Sequence, residues 1–216
     1  MGKKFASVFS PLALYNLISA LGWSFIFLNV IFGYPKVGQP SFFLVTKDLV
    51  TYIQCGALIE ILNSLLGIVR SPLLTTAAQV FSRLLVVIGV FQLLPQTPAT
   101  KSIAYVTLLL AWSITEIVRY LYYFFMLVRK NGAPKFLVWL RYNLFLVLYP
   151  TGVASELFVI YSSLPIAEVS YSILFKRVLQ ISMLTYIPGL PMLFLHMLAQ
   201  RKKVMRSWKN DAKKQS

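Results

Sequence analysis

The chain has 216 residues, 58% hydrophobic and only 12% charged, where a soluble domain is about 45–50% apolar and about 25% charged. That excludes an ordinary soluble fold and reads as an all-α, polytopic membrane bundle. The net charge is +15; the single cysteine, Cys55, excludes an internal disulfide, and the single histidine, His196, excludes a His-rich metal cluster.

A membrane span needs about 20 mostly apolar residues. After MGKKFASVFS, which lacks the pattern of a cleavable signal before a soluble domain, the first apolar run predicts a retained span over 11–33. The breaker-rich YPKVGQP (34–40) predicts a tight loop, followed by a second span over 48–69. RSP (70–72) separates this from a third span over 74–94, and PQTP (95–98) separates that from a fourth over 102–128. KNGAP (130–134) precedes a fifth span over 136–162, SLP (163–165) ends it, and a sixth runs over 173–199 before a basic tail, 200–216. No period of roughly 20–50 residues repeats, and no long polar insertion provides a soluble domain, so the whole chain reads as a single membrane domain.

Orientation follows from lysine and arginine placement. Six spans put both termini on one side. Fifteen of the 21 basic residues fall there: Lys3, Lys4, Arg70, Arg83, Arg129, Lys130, Lys135, Arg141 and seven in the tail. Five lie opposite (Lys36, Lys47, Lys101, Lys176, Arg177), and Arg119 lies well inside a span. Both termini are therefore expected in the cytosol. The last four residues, KKQS, resemble a dilysine retrieval signal of the endoplasmic reticulum; the alternative is a basic tail attracted to anionic lipid.

Ionisable groups inside hydrocarbon cost about 2.5–3.5 kcal/mol on insertion scales, so they face the bundle interior and serve a purpose. Glu116 and Arg119 are three residues apart on the fourth span and share a face. They form an ion pair that pins helices, or else Arg119 holds an anionic or carbonyl part of a substrate. Glu60, with Gln54 and Asn63 nearby, reads as an interhelical hydrogen-bonding group. Gln79 and Arg83 lie four apart on the third span, suited equally to helix contact and ligand contact. Cys55 could suggest a phosphatase nucleophile, but that loop needs an arginine six positions on, where this chain has Ile61; Cys55 is a packing residue. His196 reads as interfacial, and the run RYLYYFF as a lipid- or bundle-facing stripe.

The segment LVLYPTGVASELFVIY (146–161) carries the most chemistry. Tyr149 and Glu156 are seven residues apart, two helical turns less about 20°, with Cα atoms about 10.5 Å apart along the axis. Pro150 frees the carbonyl of residue 146 and bends the helix, while Gly152 admits a second backbone or a substrate. A phenol that donates and a carboxylate that accepts, across an apolar slot, suit adding or removing the elements of water. The other reading is that Glu156 bonds a neighbouring helix.

Three segments carry a resemblance: RSPLLTTAAQVFSRLLVV (70–87), AWSITEIVRYLYYFFMLV (111–128) and LRYNLFLVLYPTGVASEL (140–157). Together they resemble the very-long-chain (3R)-3-hydroxyacyl-CoA dehydratase family, also called protein tyrosine phosphatase-like, and its fungal members most. The resemblance implies a six-span protein of the endoplasmic reticulum membrane with both termini cytosolic. It implies dehydration of (3R)-3-hydroxyacyl-CoA to trans-2-enoyl-CoA, the third step of very-long-chain fatty acid elongation, alongside elongase, ketoacyl reductase and enoyl reductase partners. The family's catalytic tyrosine and glutamate lie in Y-P-T-G-x-x-x-E, which falls on Tyr149 and Glu156 without departure. No cofactor, metal or nucleic-acid partner is implied.

On that reading Glu156 removes the C2 proton, Tyr149 protonates the departing hydroxyl, and Arg119, Asn143 or Arg83, in falling order, supports the thioester enolate. Tyr149 lies 13 residues past Phe136, about 20 Å along a continuous fifth span. Coenzyme A phosphates would stay at the basic cytosolic face, near Arg129–Arg141, while the acyl tail continues toward the lumen. A non-enzymatic scaffold that keeps its function after Glu156→Gln, and a lipid carrier, are the rival expectations.

Overall fold

In the computed structural model, residues 5–69 and 71–215 are described, with backbone alone for 209 and 211–215. Lys3, Lys4, Arg70 and Ser216 therefore lie outside the described residues, as do the side chains of Lys209, Lys213 and Lys214. Every regular element among the described residues is helical. Six helices are long and apolar enough to cross a membrane: Pro11–Val37, Ser41–Leu65, Leu73–Gln92, Ile103–Val128, Phe145–Ser170 and Ile173–Trp208. They are called spans one to six below.

The ends of these helices follow local chemistry. Ser10 caps span one through its hydroxyl, which accepts from the Ala13 N–H, and Pro11 occupies the first turn, where its missing N–H costs nothing. Ser102 caps span four the same way, accepting from Ala104. Gly38, Gly67 and Gly132 take positive φ at the turns after spans one, two and four, a backbone state that side chains resist.

Several boundaries differ from those expected. Span one continues through 34–37 by way of a π-helical stretch, Asn29–Gly33, so the first loop is shorter than YPKVGQP suggests. SLP does not end span five. Pro165 lies inside the helix, which runs on to Ser170, and Ser162 and Ser163 donate to the Val159 and Ile160 carbonyls in the turn before it. Hydroxyls of this kind help a spanning helix tolerate proline. The expected span 136–162 divides into a short helix, Lys135–Asn143, and a span beginning at Phe145. The interruption, at Leu144, falls six residues before Pro150, nearly two helical turns. The tail expected after residue 199 continues the sixth helix to Gln215.

Span four is the hub. It packs against span one on one side and span five on the other, and it is the most enclosed span. Tyr105, Leu108, Leu109, Ala111 and Trp112 of span four are all buried. At one end, Phe42, Phe43, Phe91 and Tyr105 meet edge to face at centroid distances of 5.1–6.1 Å. Cys55 and Ile61 both pack against this core, as a packing role for Cys55 requires. Outward faces are apolar on every span, with Leu21, Val45, Leu74, Val147 and Ile187 among the exposed side chains. Such a surface matches hydrocarbon rather than water.

Spans four and five run antiparallel and close. A Cβ at Gly152 would lie 3.5 Å from the Ala111 Cβ, and Thr107 bonds Ser155 at 2.8 Å one turn further along. Gly152 is thus a helix-packing glycine. Gly152→Leu is expected to force spans four and five apart, costing about 1–3 kcal/mol as overpacking does. A lowered melting temperature of the purified protein checks this; an unchanged one refutes the close packing.

The basic side is also visible in contacts. The Ala6 N–H bonds the Leu127 carbonyl, placing the N-terminal segment beside the end of span four. Arg201 of the tail donates to Asn143 at 3.0 Å. Arg141 lies over the Tyr122 and Tyr123 rings, 4.5 and 4.8 Å from their centroids. The N-terminal segment, the short helix and the tail therefore gather Arg129, Arg141 and Arg201 at one end of the bundle.

Candidate active site

Glu156 is only 6% exposed, and its Oε1 is buried without a hydrogen-bond partner. It stands eleven residues into span five, about 16 Å from the start of the helix, while Tyr149 stands four residues in, about 6 Å. Both depths run from Phe145, where the spanning helix begins, rather than from Phe136. Tyr149 is half-buried and stacks on Phe194 of span six, with centroids 6.2 Å apart and planes 21° apart. Phe194 also meets Phe145 edge to face at 5.6 Å. Glu156 faces the same neighbour: Tyr186 of span six and Arg83 of span three are both within electrostatic range of its carboxylate. Tyr149 is also within electrostatic reach of Glu156. The two groups therefore share the face of span five that meets span six, with Arg83 of span three within electrostatic range of Glu156.

Beside this face lies a network of charges. Arg83 pairs with Glu116, which is 1% exposed, and its guanidinium sits 5.5 Å over the Trp112 ring. Glu116 also meets Arg119 at 2.6 Å. Arg119 in turn donates to both oxygens of Glu60, at 2.9 and 2.6 Å. Tyr120 donates to the same Glu60, and Tyr15 reaches it at 3.4 Å. Glu60 thus joins span two to spans one and four, the interhelical role its sequence context suggests. Within RYLYYFF, Tyr120 turns inward to this network while Tyr122 and Tyr123 cradle Arg141. Among the described residues no three His, Cys, Asp or Glu side chains gather as a metal site would need.

The residues proposed for the enolate are not equally placed. Arg83 is paired with Glu116 and is the guanidinium within electrostatic range of Glu156. Arg119 is engaged by two carboxylates and stands one step further away. Asn143 lies in the short helix, where its amide donates to the Trp139 carbonyl and its oxygen accepts from Arg201, outside span five. Gly152 faces Ala111 of span four.

The family model for protein tyrosine phosphatase-like protein, PTPLA, matches residues 54–207, taking in Arg83, Tyr149, Glu156 and Tyr186. The chain belongs to this family. A Schizosaccharomyces pombe relative, named as a probable very-long-chain (3R)-3-hydroxyacyl-CoA dehydratase, is 42% identical over 197 residues, covering 90% of this chain and 92% of the relative. A Caenorhabditis elegans relative with the same dehydratase name, hpo-8, is 37% identical over 212 residues, covering 92% and 96%. Human very-long-chain (3R)-3-hydroxyacyl-CoA dehydratase 2 is 34% identical over 208 residues, covering 90% and 80%. No solved structure matches the chain. The fungal, PTPLA-type resemblance read from three segments is thus shown over most of the chain.

Tyr186 and Phe194 escaped the sequence reading. Both sit in span six, which looks uniformly apolar. One signal for Tyr186 was available: in TYIPGLP a phenol stands beside Pro188 in an otherwise lipid-compatible helix, and its neighbours Ile187 and Pro188 are exposed while it is tucked inward. A phenol inside a span needs a polar partner.

Proposed function

We propose that this chain is an intramembrane lyase that removes water from (3R)-3-hydroxyacyl-CoA to give trans-2-enoyl-CoA, the third step of very-long-chain fatty acid elongation. The observation that carries this reading is a buried carboxylate, Glu156, whose Oε1 has no hydrogen-bond partner, on the same face of span five as the Tyr149 phenol. Family membership supplies the reaction class.

Glu156 accepts the C2 proton, which the thioester carbonyl acidifies. The resulting enolate expels the C3 hydroxyl as Tyr149 supplies the proton that makes water the leaving group. The C2–H and C3–O bonds break and the C2=C3 bond forms, so the two proton transfers balance. Carboxylate and phenol start and end in opposite protonation states, reset by proton exchange. Arg83 is the first candidate to stabilise the enolate oxygen, since it is the cation within electrostatic range of Glu156. Arg119 supports it through the shared Glu116.

Depth agrees with the shape of the substrate. Coenzyme A phosphates cannot enter hydrocarbon, and the basic end that carries Arg129, Arg141 and Arg201 suits them. With Tyr149 about 6 Å and Glu156 about 16 Å into span five, the pantetheine arm has a short path to the site. The acyl tail then continues between spans toward the far side. The endoplasmic reticulum location, cytosolic termini, retrieval through KKQS, and work alongside an elongase and the two reductases belong to the same proposal.

Purified protein given a long-chain (3R)-3-hydroxyacyl-CoA is expected to form the trans-2-enoyl product, followed by its absorbance or by mass. No product from folded protein overturns the reading. A photoreactive group on the adenine ring is expected to label the Arg129–Arg141 region; labelling near Lys36 or Lys101 would reverse the assigned direction of entry.

A further inference from the structure

From the pairing of spans five and six we infer that Tyr186 is a positioning residue for the dehydration, holding the Glu156 carboxylate so that one oxygen points at the substrate. The inference rests on the dehydratase reading of the Tyr149–Glu156 pair.

The register of the two helices carries it. Spans five and six pack against each other in opposite directions, and the stacked pair Tyr149–Phe194 sets one level of their contact. Glu156 is seven residues further along span five, a rise of about 10.5 Å. Tyr186 is eight residues back along span six, a rise of about 12 Å, so the two side chains meet at one height within about 2 Å.

The surroundings agree. Span six is largely exposed to the bilayer, yet Tyr186 is tucked inward between exposed Thr185 and Ile187. The helix register brings its hydroxyl within reach of the Glu156 carboxylate, with Ser82 of span three close by. Ser82 precedes Arg83, so the carboxylate is approached from two helices at once. Glu156 Oε1 is left with no partner of its own. A buried carboxylate with a single tether rotates; a carboxylate steadied by a phenol from one side and attracted by a guanidinium from another presents one face.

Tyr186 differs from Tyr149 in its role. Tyr149 stacks on Phe194 and is assigned the leaving hydroxyl, whereas Tyr186 stands level with the base. Loss of the Tyr186 hydroxyl leaves both reacting groups in place and misaims the carboxylate, and misplacement by about 1 Å costs on the order of 100-fold in rate.

The test is Tyr186→Phe, which removes one oxygen and retains the ring. Kinetics are measured on purified protein with a (3R)-3-hydroxyacyl-CoA and with the same compound deuterated at C2. The expected result is a kcat lower by about 10- to 100-fold, a KM within about twofold, and a larger C2 deuterium isotope effect than the parent protein shows. The melting temperature should stay near that of the parent. A merely structural tyrosine would lower the melting temperature, or leave the isotope effect unmoved, and either result overturns the inference. So does normal kcat in Tyr186→Phe when Glu156→Gln is inactive, which would leave the dehydratase reading standing. An inactive parent protein would remove both.

Discussion

Glu156→Gln is expected to abolish dehydration, with kcat/KM falling by about 10³-fold or more, while the protein stays folded. The amide fills the same space but cannot take the C2 proton, and positioned general acid–base groups contribute about 10²- to 10⁴-fold each. Tyr149→Phe is expected to lose about 10²-fold or more for the complementary reason: the ring still stacks on Phe194, but no proton reaches the leaving hydroxyl. The two variants should differ in one respect. If Glu156 is the base, the parent protein and Tyr149→Phe exchange the C2 hydrogen of the substrate with deuterated water, and Glu156→Gln does not. Exchange retained in Glu156→Gln and lost in Tyr149→Phe would invert the roles. Near-normal turnover in either variant would remove that residue from the chemistry.

Removing Glu116 should produce the largest loss of stability. Its carboxylate is 1% exposed and meets both Arg83 and Arg119, so Glu116→Gln leaves Arg83 without its carboxylate partner inside the bundle. Breaking a buried pair by deleting one member costs about 3–5 kcal/mol, because the surviving charge stays desolvated. Unfolding of the purified protein should occur at clearly lower temperature or denaturant concentration. The double variant Glu116→Gln/Arg83→Met removes the orphaned charge and leaves the Arg119–Glu60 pair intact. It should therefore be more stable than Glu116→Gln alone, although not active. A double variant no more stable than the single one would mean that the charges around Glu116 do not control the stability of the bundle.

These two experiments separate two uses of buried charge in one bundle. Glu60, Glu116, Arg83 and Arg119 neutralise one another and tie spans one to four together. Glu156 has an unpartnered oxygen at the margin of that network, facing spans three and six instead. A carboxylate ion-paired to two guanidiniums, as Glu116 is, holds helices. Glu156, in no ion pair among the described residues, has capacity left for a substrate.

Much of this was determined by sequence alone. Apolar runs of about 20 residues name their own spans, since only helices and closed barrels satisfy their backbone in lipid and barrel strands are about half as long. The seven-residue spacing of Tyr149 and Glu156 puts them on one face of any helix that contains both, whatever surrounds it. The pairing of Glu116 with Arg119 likewise follows from three-residue spacing within one helix. Each of these is a local relation, and local geometry is periodic.

What the tertiary structure decided concerns contacts between residues far apart in the chain. Spacing cannot say that Arg83, 33 residues before Glu116, is its partner, or that Glu60 grips Arg119 with both oxygens. It could not rank Arg83 above Arg119 beside Glu156, nor withdraw Asn143 to Arg201. The interruption before Phe145 also escaped a hydropathy reading, because Lys135–Asn143 is apolar enough to extend the span; only the folded backbone shows that the regular helix holding Tyr149 begins at Phe145. Tyr186 was invisible for the same reason: a residue's role in a site depends on which helix lies opposite, and helix pairing is settled by side-chain packing across the whole bundle rather than by period along one segment.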